Sequence, residues 1–120
     1  MKRYKLVIAD DEANIREGLG RFDWNKLGIE LAGCYENGLE VLRKFEEEPA
    51  DMLLADIRMP FMDGLELAEK VKSLYPFTKI VILTGYSDFD LVRSSLRNGV
   101  SDYLLKPSSK EELTNAFVPP

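Results

Sequence analysis

Asp56 closes the apolar run Met52-Leu53-Leu54-Ala55, and a carboxylate in that place is unusual. Four apolar residues bounded by polar ones read as a short strand buried on both faces, where an unpaired charge is expensive. The chain turns soon afterwards, at Pro60 and again at Asp63-Gly64. In an open α/β sheet, ligands bind at the carboxyl ends of the strands. Asp56 alone is therefore either a loop residue just past its strand or a reactive group in a site. Other strand ends bear on that choice. Asp10-Asp11 follow Tyr4 to Ala9, Thr84-Gly85 follow Lys79 to Leu83, and Lys106-Pro107 follow Ser101 to Leu105.

If these ends meet, Asp10, Asp11 and Asp56 repel one another and need a cation. The chain has no histidine and one cysteine, Cys34, so a metal here must be a hard cation held by oxygen. Such ligands suit Mg²⁺, which typically takes one or two carboxylates, waters and a phosphate oxygen. Asp10 and Asp11 also have a plainer reading, since acids favour helix N-termini. That explains one acid; two acids with Asp56 fit a metal better. An aspartate beside Mg²⁺ can attack phosphorus and become an aspartyl phosphate, a reaction of positioning and charge stabilisation. Thr84 offers a hydroxyl to one phosphoryl oxygen and Lys106 a mobile cation to another. Singly, Thr84 is an ordinary strand-end residue and Lys106 an ordinary solvated lysine.

The elements that must position these groups alternate regularly. Strands are expected at Tyr4 to Ala9, Ile29 to Cys34, Met52 to Ala55, Lys79 to Leu83 and Ser101 to Leu105, with the second at an edge because of Glu30. The first helix runs to about Phe22 with Ile15, Leu19 and Phe22 inward, and Trp24 and Leu27, in the connector after it, cap the helix-sheet core. Leu39, Leu42 and Phe45 form the buried face of the second helix, and Leu67, Ala68, Val71 and Leu74 that of the third. Asn37, Asp63, Ser87 and Ser109 each precede an acid by three residues, a capping pattern that opens helices two to five. The fourth stops at Gly99, and the last ends by about Phe117, before Pro119-Pro120. Alternation with short loops means a parallel sheet with helices on both faces. In the flavodoxin-like order 2-1-3-4-5, Asp10-Asp11 and Asp56 end neighbouring strands, roughly 5 Å apart.

Composition narrows the function. A length of 120 residues suits one domain, and a net charge of −5 argues against direct nucleic-acid binding. One cysteine allows no internal disulfide, and no run is long enough for a signal core or a membrane span, so a cytoplasmic protein is expected.

Asp10-Asp11, Asp56, Thr84-Gly85 and Lys106-Pro107, in this order at these strand ends, resemble the motif of two-component response regulator receiver domains over essentially the whole chain. The resemblance implies a CheY-like fold with five strands and five flanking helices, a single receiver domain over residues 1–120. It makes Asp56 the phosphoacceptor, Asp11 a direct Mg²⁺ ligand, Asp10 a ligand largely through water, and the Arg58 backbone carbonyl a further ligand. Thr84 and Lys106 would contact the phosphoryl group, a cis Lys106-Pro107 bond would orient the lysine, and Gly85 would leave the pocket open. Tyr103 would be the switch aromatic, turning inward as Thr84 moves toward the phosphate. That reshapes the face of helix four, strand five and helix five, usually for homodimerisation.

The donor would be a sensor histidine kinase, on another protein because this chain has no histidine. Phe22-Asp23-Trp24 with Leu27-Gly28-Ile29-Glu30, Gly85-Tyr86-Ser87-Asp88-Phe89 and Asp102-Tyr103-Leu104-Leu105-Lys106-Pro107 are similar to receivers fused to an AraC-type helix-turn-helix output domain. DNA would be reached only through that domain, which lies outside this chain, and the fifth helix is shorter than is usual in the family. Arg58 and Tyr86, two residues past the acceptor and the threonine, are expected to influence hydrolysis of the phosphoryl group.

Two other classes compete. A haloacid-dehalogenase-like phosphatase also uses an aspartate nucleophile with Mg²⁺, but it needs an acid where Arg58 stands and usually a cap domain. A flavin or nucleotide binder would need a glycine-rich loop after the first strand, where two aspartates stand instead.

Overall fold

The third strand sits at the centre because every one of its side chains is buried. The computed structural model describes residues 3–85, 88, 90, 93, 100–106 and 109–117. Its strands are β1 (Tyr4–Ala9), β2 (Ile29–Tyr35), β3 (Met52–Asp56), β4 (Lys79–Thr84) and β5 (Asp102–Leu105). They form one sheet in the order β2-β1-β3-β4-β5, every pair parallel. This is the expected flavodoxin-like order, with the direction of winding reversing between β1 and β3. The α-helices among the described residues are α1 (Ala13–Gly20), α2 (Gly38–Glu47), α3 (Gly64–Leu74) and α4 (Lys110–Ala116), the last being the expected fifth helix. Most of the expected fourth helix, with its Ser87 cap, Leu96 and Gly99, lies outside the described residues.

The apolar runs are continuous because the sheet is covered on both faces. Val7, Ala9, Leu53, Ala55, Ile80 and Ile82 pack against Val41 and Phe45 of α2 and Leu67 and Val71 of α3. Their neighbours Leu6, Ile8, Leu54, Val81 and Leu83 pack with Leu19 of α1, Trp24, Leu113 and Phe117. The two-residue period of a strand thus supplies two cores. Each fully buried large side chain contributes about 1.5–3 kcal/mol. Trp24 packs into the second of these cores as expected, from a single 3-10 turn (Trp24–Leu27). Its Nε1 donates to Leu19 O at 2.9 Å, and its ring meets Phe117 edge-on at 5.3 Å.

Three expected caps form. Asn37 Oδ1 accepts from Glu40 N at 3.0 Å, Asp63 Oδ1 from Glu66 N at 2.8 Å, and Ser109 makes a reciprocal capping box with Glu112. Two inward assignments were reversed: Leu39 is 42% and Leu74 64% exposed. A helix turns about 100° per residue; Gly38, Val41 and Phe45 define the buried line of α2, which leaves Leu39 on its flank. Leu74, the last residue of α3, lies beyond the sheet cover that Val71 reaches. Helix α1 also ends at Gly20 rather than near Phe22, which packs half-buried after it.

Candidate functional site

Strand register brings the reactive groups together. Ala9 pairs with Ala55, Asp56 with Leu83, and Thr84 with Leu105. Asp10, Asp56, Thr84 and Lys106 therefore lie side by side on the carboxyl edge, and Asp56 and Thr84 are the final residues of their strands. Backbone hydrogen bonds fix the approach: Asp10 N donates to Tyr35 O at 3.0 Å, Ile57 N to Leu83 O at 3.0 Å, and Lys106 N to Thr84 O at 2.8 Å. Gly64 N donates to Ile57 O at 2.9 Å, which draws the start of α3 across Asp56.

Asp10 is fully buried and Asp56 is 5% exposed, while Asp11 and Glu12 face solvent. One carboxylate oxygen from each of the four lies within 4.8 Å of the others. Lys106 Nζ stands 3.2 Å from Asp56 Oδ1, 3.3 Å from Asp10 Oδ2 and 3.5 Å from Glu12 Oε1. One ammonium is shared among three acids. Asp10 Oδ1 accepts from Glu12 N at 2.9 Å, whereas its buried Oδ2 has the lysine charge nearby but no hydrogen bond of adequate geometry. An under-satisfied buried carboxylate oxygen facing other carboxylates fits a cation of the Mg²⁺ kind.

Burial, then the Asp10 charge, pushes the Asp56 carboxyl from an ordinary 3.8 up to about 6, against the opposing pull of Lys106. Burial also raises Asp10, partly offset by the Glu12 N–H. For Lys106, burial works against the charge, but Asp56 and Asp10 outweigh it and the ammonium is held more firmly than usual. Buried carboxyls crowded together behave this way.

A cavity of about 220 Å³ opens over Asp56, lined also by Asp11, Glu12, Ile57, Arg58, Gly85, Asp88 and Lys106. A Cβ on Gly85 would meet nothing within 4 Å, so that wall is open. Thr84 is buried, with its Oγ1 donating to Gly85 O at 3.1 Å. Tyr103 is half-buried on β5 beside Ile82, packed against the α2–α3 core, and does not line this cavity. Pro107 and Tyr86 lie outside the described residues. A larger, more apolar cavity of about 410 Å³ between α1 and α4 shares, among the described residues, only Lys106 with the cavity over Asp56.

Two features were missed in the sequence. Glu12 joins the acidic cluster, a role hidden because an acid at a helix start needs no other explanation. The Arg58 guanidinium forks onto Asp88, with Nε 2.8 Å from Oδ2 and Nη2 2.6 Å from Oδ1. Thirty positions separate the partners, and nothing in their spacing signals the contact.

Residues 6–118 match the response regulator receiver domain. The transcriptional regulatory protein YesN of Bacillus subtilis (strain 168) is 35% identical over 115 residues, 95% of this chain and 31% of that protein. YhcZ of the same bacterium is 42% identical over 109 residues, 91% of this chain and 51% of that protein. The chain thus spans about half or less of these relatives. Among solved structures, the REC domain of AraT, a response regulator from Geobacillus stearothermophilus, aligns with a TM-score of 0.89 at 37% identity, covering 95% of this chain and 89% of that one. The two component transcriptional regulator AraC from Clostridium phytofermentans ISDg aligns with a TM-score of 0.86 at 29% identity, covering 94% and 88%. The second of these agrees with the likeness to AraC-type regulators read from the sequence. With its fold, its strand-end acids and a match running nearly end to end, the chain belongs to the receiver domains of two-component response regulators.

Proposed function

We propose that this chain is a phosphorylation switch that accepts a phosphoryl group on Asp56 from a partner histidine kinase, with Mg²⁺ bound by the acidic cluster. The observation that carries the reading is the buried Asp56 carboxylate beneath an open cavity, with Lys106 3.2 Å away and Asp10, Asp11 and Glu12 converging on it. An Asp56 oxygen attacks phosphorus, the bond to the donor's imidazole nitrogen breaks, and that nitrogen leaves with its electron pair. In the later hydrolysis step water attacks the same phosphorus and the Asp56 carboxylate departs, releasing inorganic phosphate. Lys106 meets a phosphoryl oxygen as the charge develops, and the Thr84 hydroxyl turns from Gly85 O to another. Asp11 and Asp56 carboxylates and the Arg58 carbonyl would hold Mg²⁺, with Asp10 acting largely through water. That ion would neutralise charge on the phosphoryl oxygens.

On this reading the chain is a regulatory phosphoacceptor in the cytoplasm, turning over only its own phosphoryl group. Phosphorylation redirects Thr84 and Tyr103 and reshapes the surface formed by the segment after β4, β5 and α4. That surface supports a homodimer and controls a DNA-binding output domain outside this chain. Supporting the last step, YesN and YhcZ, both longer than this chain, are named transcriptional regulatory proteins. The test is intact mass after incubation with a small acyl phosphate, with and without Mg²⁺, on the native protein and Asp56→Asn. One added phosphoryl group that requires both Mg²⁺ and Asp56 is expected; an adduct that survives Asp56→Asn would refute the assignment.

A further inference from the structure

The Arg58 side chain and the Asp88 carboxylate stand at the mouth of the site with no part in the chemistry above. Their pairing is a planar, two-pronged ion pair at 2.8 and 2.6 Å. Its halves are unequal: Asp88 is 4% exposed, whereas the Arg58 side chain is 74% exposed. Both line the cavity above Asp56. The pair also ties two strand-end loops together. Arg58 follows β3, and Asp88 lies just past β4, its N–H donating to Gly85 O at 3.2 Å. The field holding the guanidinium charged comes first from Asp88, with Asp63 and Asp56 contributing behind it.

We infer that Arg58 is an exchangeable cation, held by Asp88 while Asp56 is a free carboxylate and drawn toward a phosphoryl group once Asp56 carries one. The inference rests on the reading of Asp56 as the phosphoacceptor. A guanidinium presents the same fork to a carboxylate and to phosphoryl oxygens. The added group brings more negative charge and more acceptor oxygens than the carboxylate it replaces. Arg58 is exposed, so it changes partner without repacking the core. Asp88, itself little exposed, gives up its two-pronged cation in that exchange. Asp88 must then shift or admit water. Charge at the acceptor is thereby communicated to the segment after β4 through a side chain, in addition to any movement of Thr84. Asp88 is a positioning residue that acts on the phosphoryl group through Arg58.

Beryllofluoride, a non-hydrolysable phosphoryl mimic, tests this when titrated with Mg²⁺ into the native protein, Asp88→Asn, Arg58→Ala and the double variant by calorimetry. Asp88→Asn removes the competing charge and should tighten binding about fivefold; the Arg58→Ala background should erase that gain. No tightening, or equal tightening in both backgrounds, overturns the inference. If Asp88→Asn does not fold, the native protein decides: the ¹³Cγ resonance of Asp88 moves on beryllofluoride addition if Arg58 leaves it. A resonance that stays in place refutes the exchange. Failure of beryllofluoride to bind the native protein, together with no acyl-phosphate adduct, removes the phosphoacceptor reading itself. Binding without dependence on Arg58 removes only the exchange.

Discussion

Gly64→Ala tests how tightly the start of α3 is set against the acceptor. A Cβ at position 64 would lie 2.2 Å from Asp56 O, 2.9 Å from Asp56 C and 2.9 Å from Ile57 Cα. All three are backbone atoms, so no side chain can rotate to make room. Ordinary contact begins at 3.4 Å, so either α3 or the end of β3 must move by about 1 Å. Overpacking of this kind costs about 1–3 kcal/mol, and replacing glycine in a helix returns about 0.5–1 kcal/mol. The net loss is about 1–2 kcal/mol, a fall in melting temperature of about 4–8 °C for a domain of this size. The chemical effect is larger, because a displacement of about 1 Å at a reacting group costs on the order of 10²-fold in rate. Adduct formation with a small acyl phosphate and Mg²⁺, followed by intact mass, should slow by about ten- to a hundredfold. Gly85→Ala is the control for folding: its Cβ meets open space, and its melting should stay within about 0.5 kcal/mol of the native value. A Gly64→Ala protein with native melting and native phosphorylation rate refutes the reasoning. A lowered melting temperature with an unchanged rate would show that α3 yields and the acceptor does not.

The Asp56 carboxyl binds its proton more tightly in the folded state, at about 6 against 3.8. Its contribution to stability is complete below about pH 4 and is lost as pH rises through about 6. In metal-free buffer Asp56→Asn should therefore exceed the native protein in unfolding free energy, read from urea melts, by an amount that grows with pH, reaching at most about 3 kcal/mol above pH 7; a pH-independent difference would contradict this. Mg²⁺ at about a hundred times its dissociation constant should stabilise the native fold by about 2.7 kcal/mol, and Asp11→Ala should remove most of that gain while leaving metal-free melting unchanged. Thermal scans with Mg²⁺ and with chelator measure it, and an undiminished gain in Asp11→Ala would remove Asp11 from the ligand set. Phe61 has a φ of 69° and is 81% exposed, so it carries left-handed strain of about 1 kcal/mol without burial in return. Phe61→Gly should raise the urea midpoint, and a fall would mean that the ring makes a contact worth more than the strain.

The topology was legible because each buried strand ends at a change from apolar to polar residues, and because parallel connections leave few alternatives. Three caps were legible for a local reason: an oxygen three residues before an acid has one nearby N–H to accept from. The inward positions at Leu39 and Leu74 were misread because apolar spacing gives a helix face, not which edge of that face the sheet covers. Asp10, Asp11, Asp56, Thr84 and Lys106 could be found by their strand ends, whereas Glu12 could not. The sharing of Lys106, the close approach of Gly64 to Asp56 O and the fork from Arg58 to Asp88 could not. Each depends on where separate segments cross in space, to within an ångström.

Those crossings bear directly on reactivity. A lysine bonded wholly to Asp56 would blunt its nucleophilicity, and an Asp56 with no cation nearby would be neutral through much of the acid range. Here Nζ is divided among Asp56, Asp10 and Glu12 at 3.2–3.5 Å. The acceptor is kept ionisable near neutral pH without being saturated. The cost of crowding buried acids falls on a strand whose remaining residues, Met52 to Ala55, are at most 2% exposed, and their burial, at about 1.5–3 kcal/mol for each large side chain, offsets it. On the proposed reading, an arriving phosphoryl group would find an ammonium that can move toward it without breaking a complete ion pair, while Asp11 and Asp56 would hold the divalent cation and Asp10 would act largely through water.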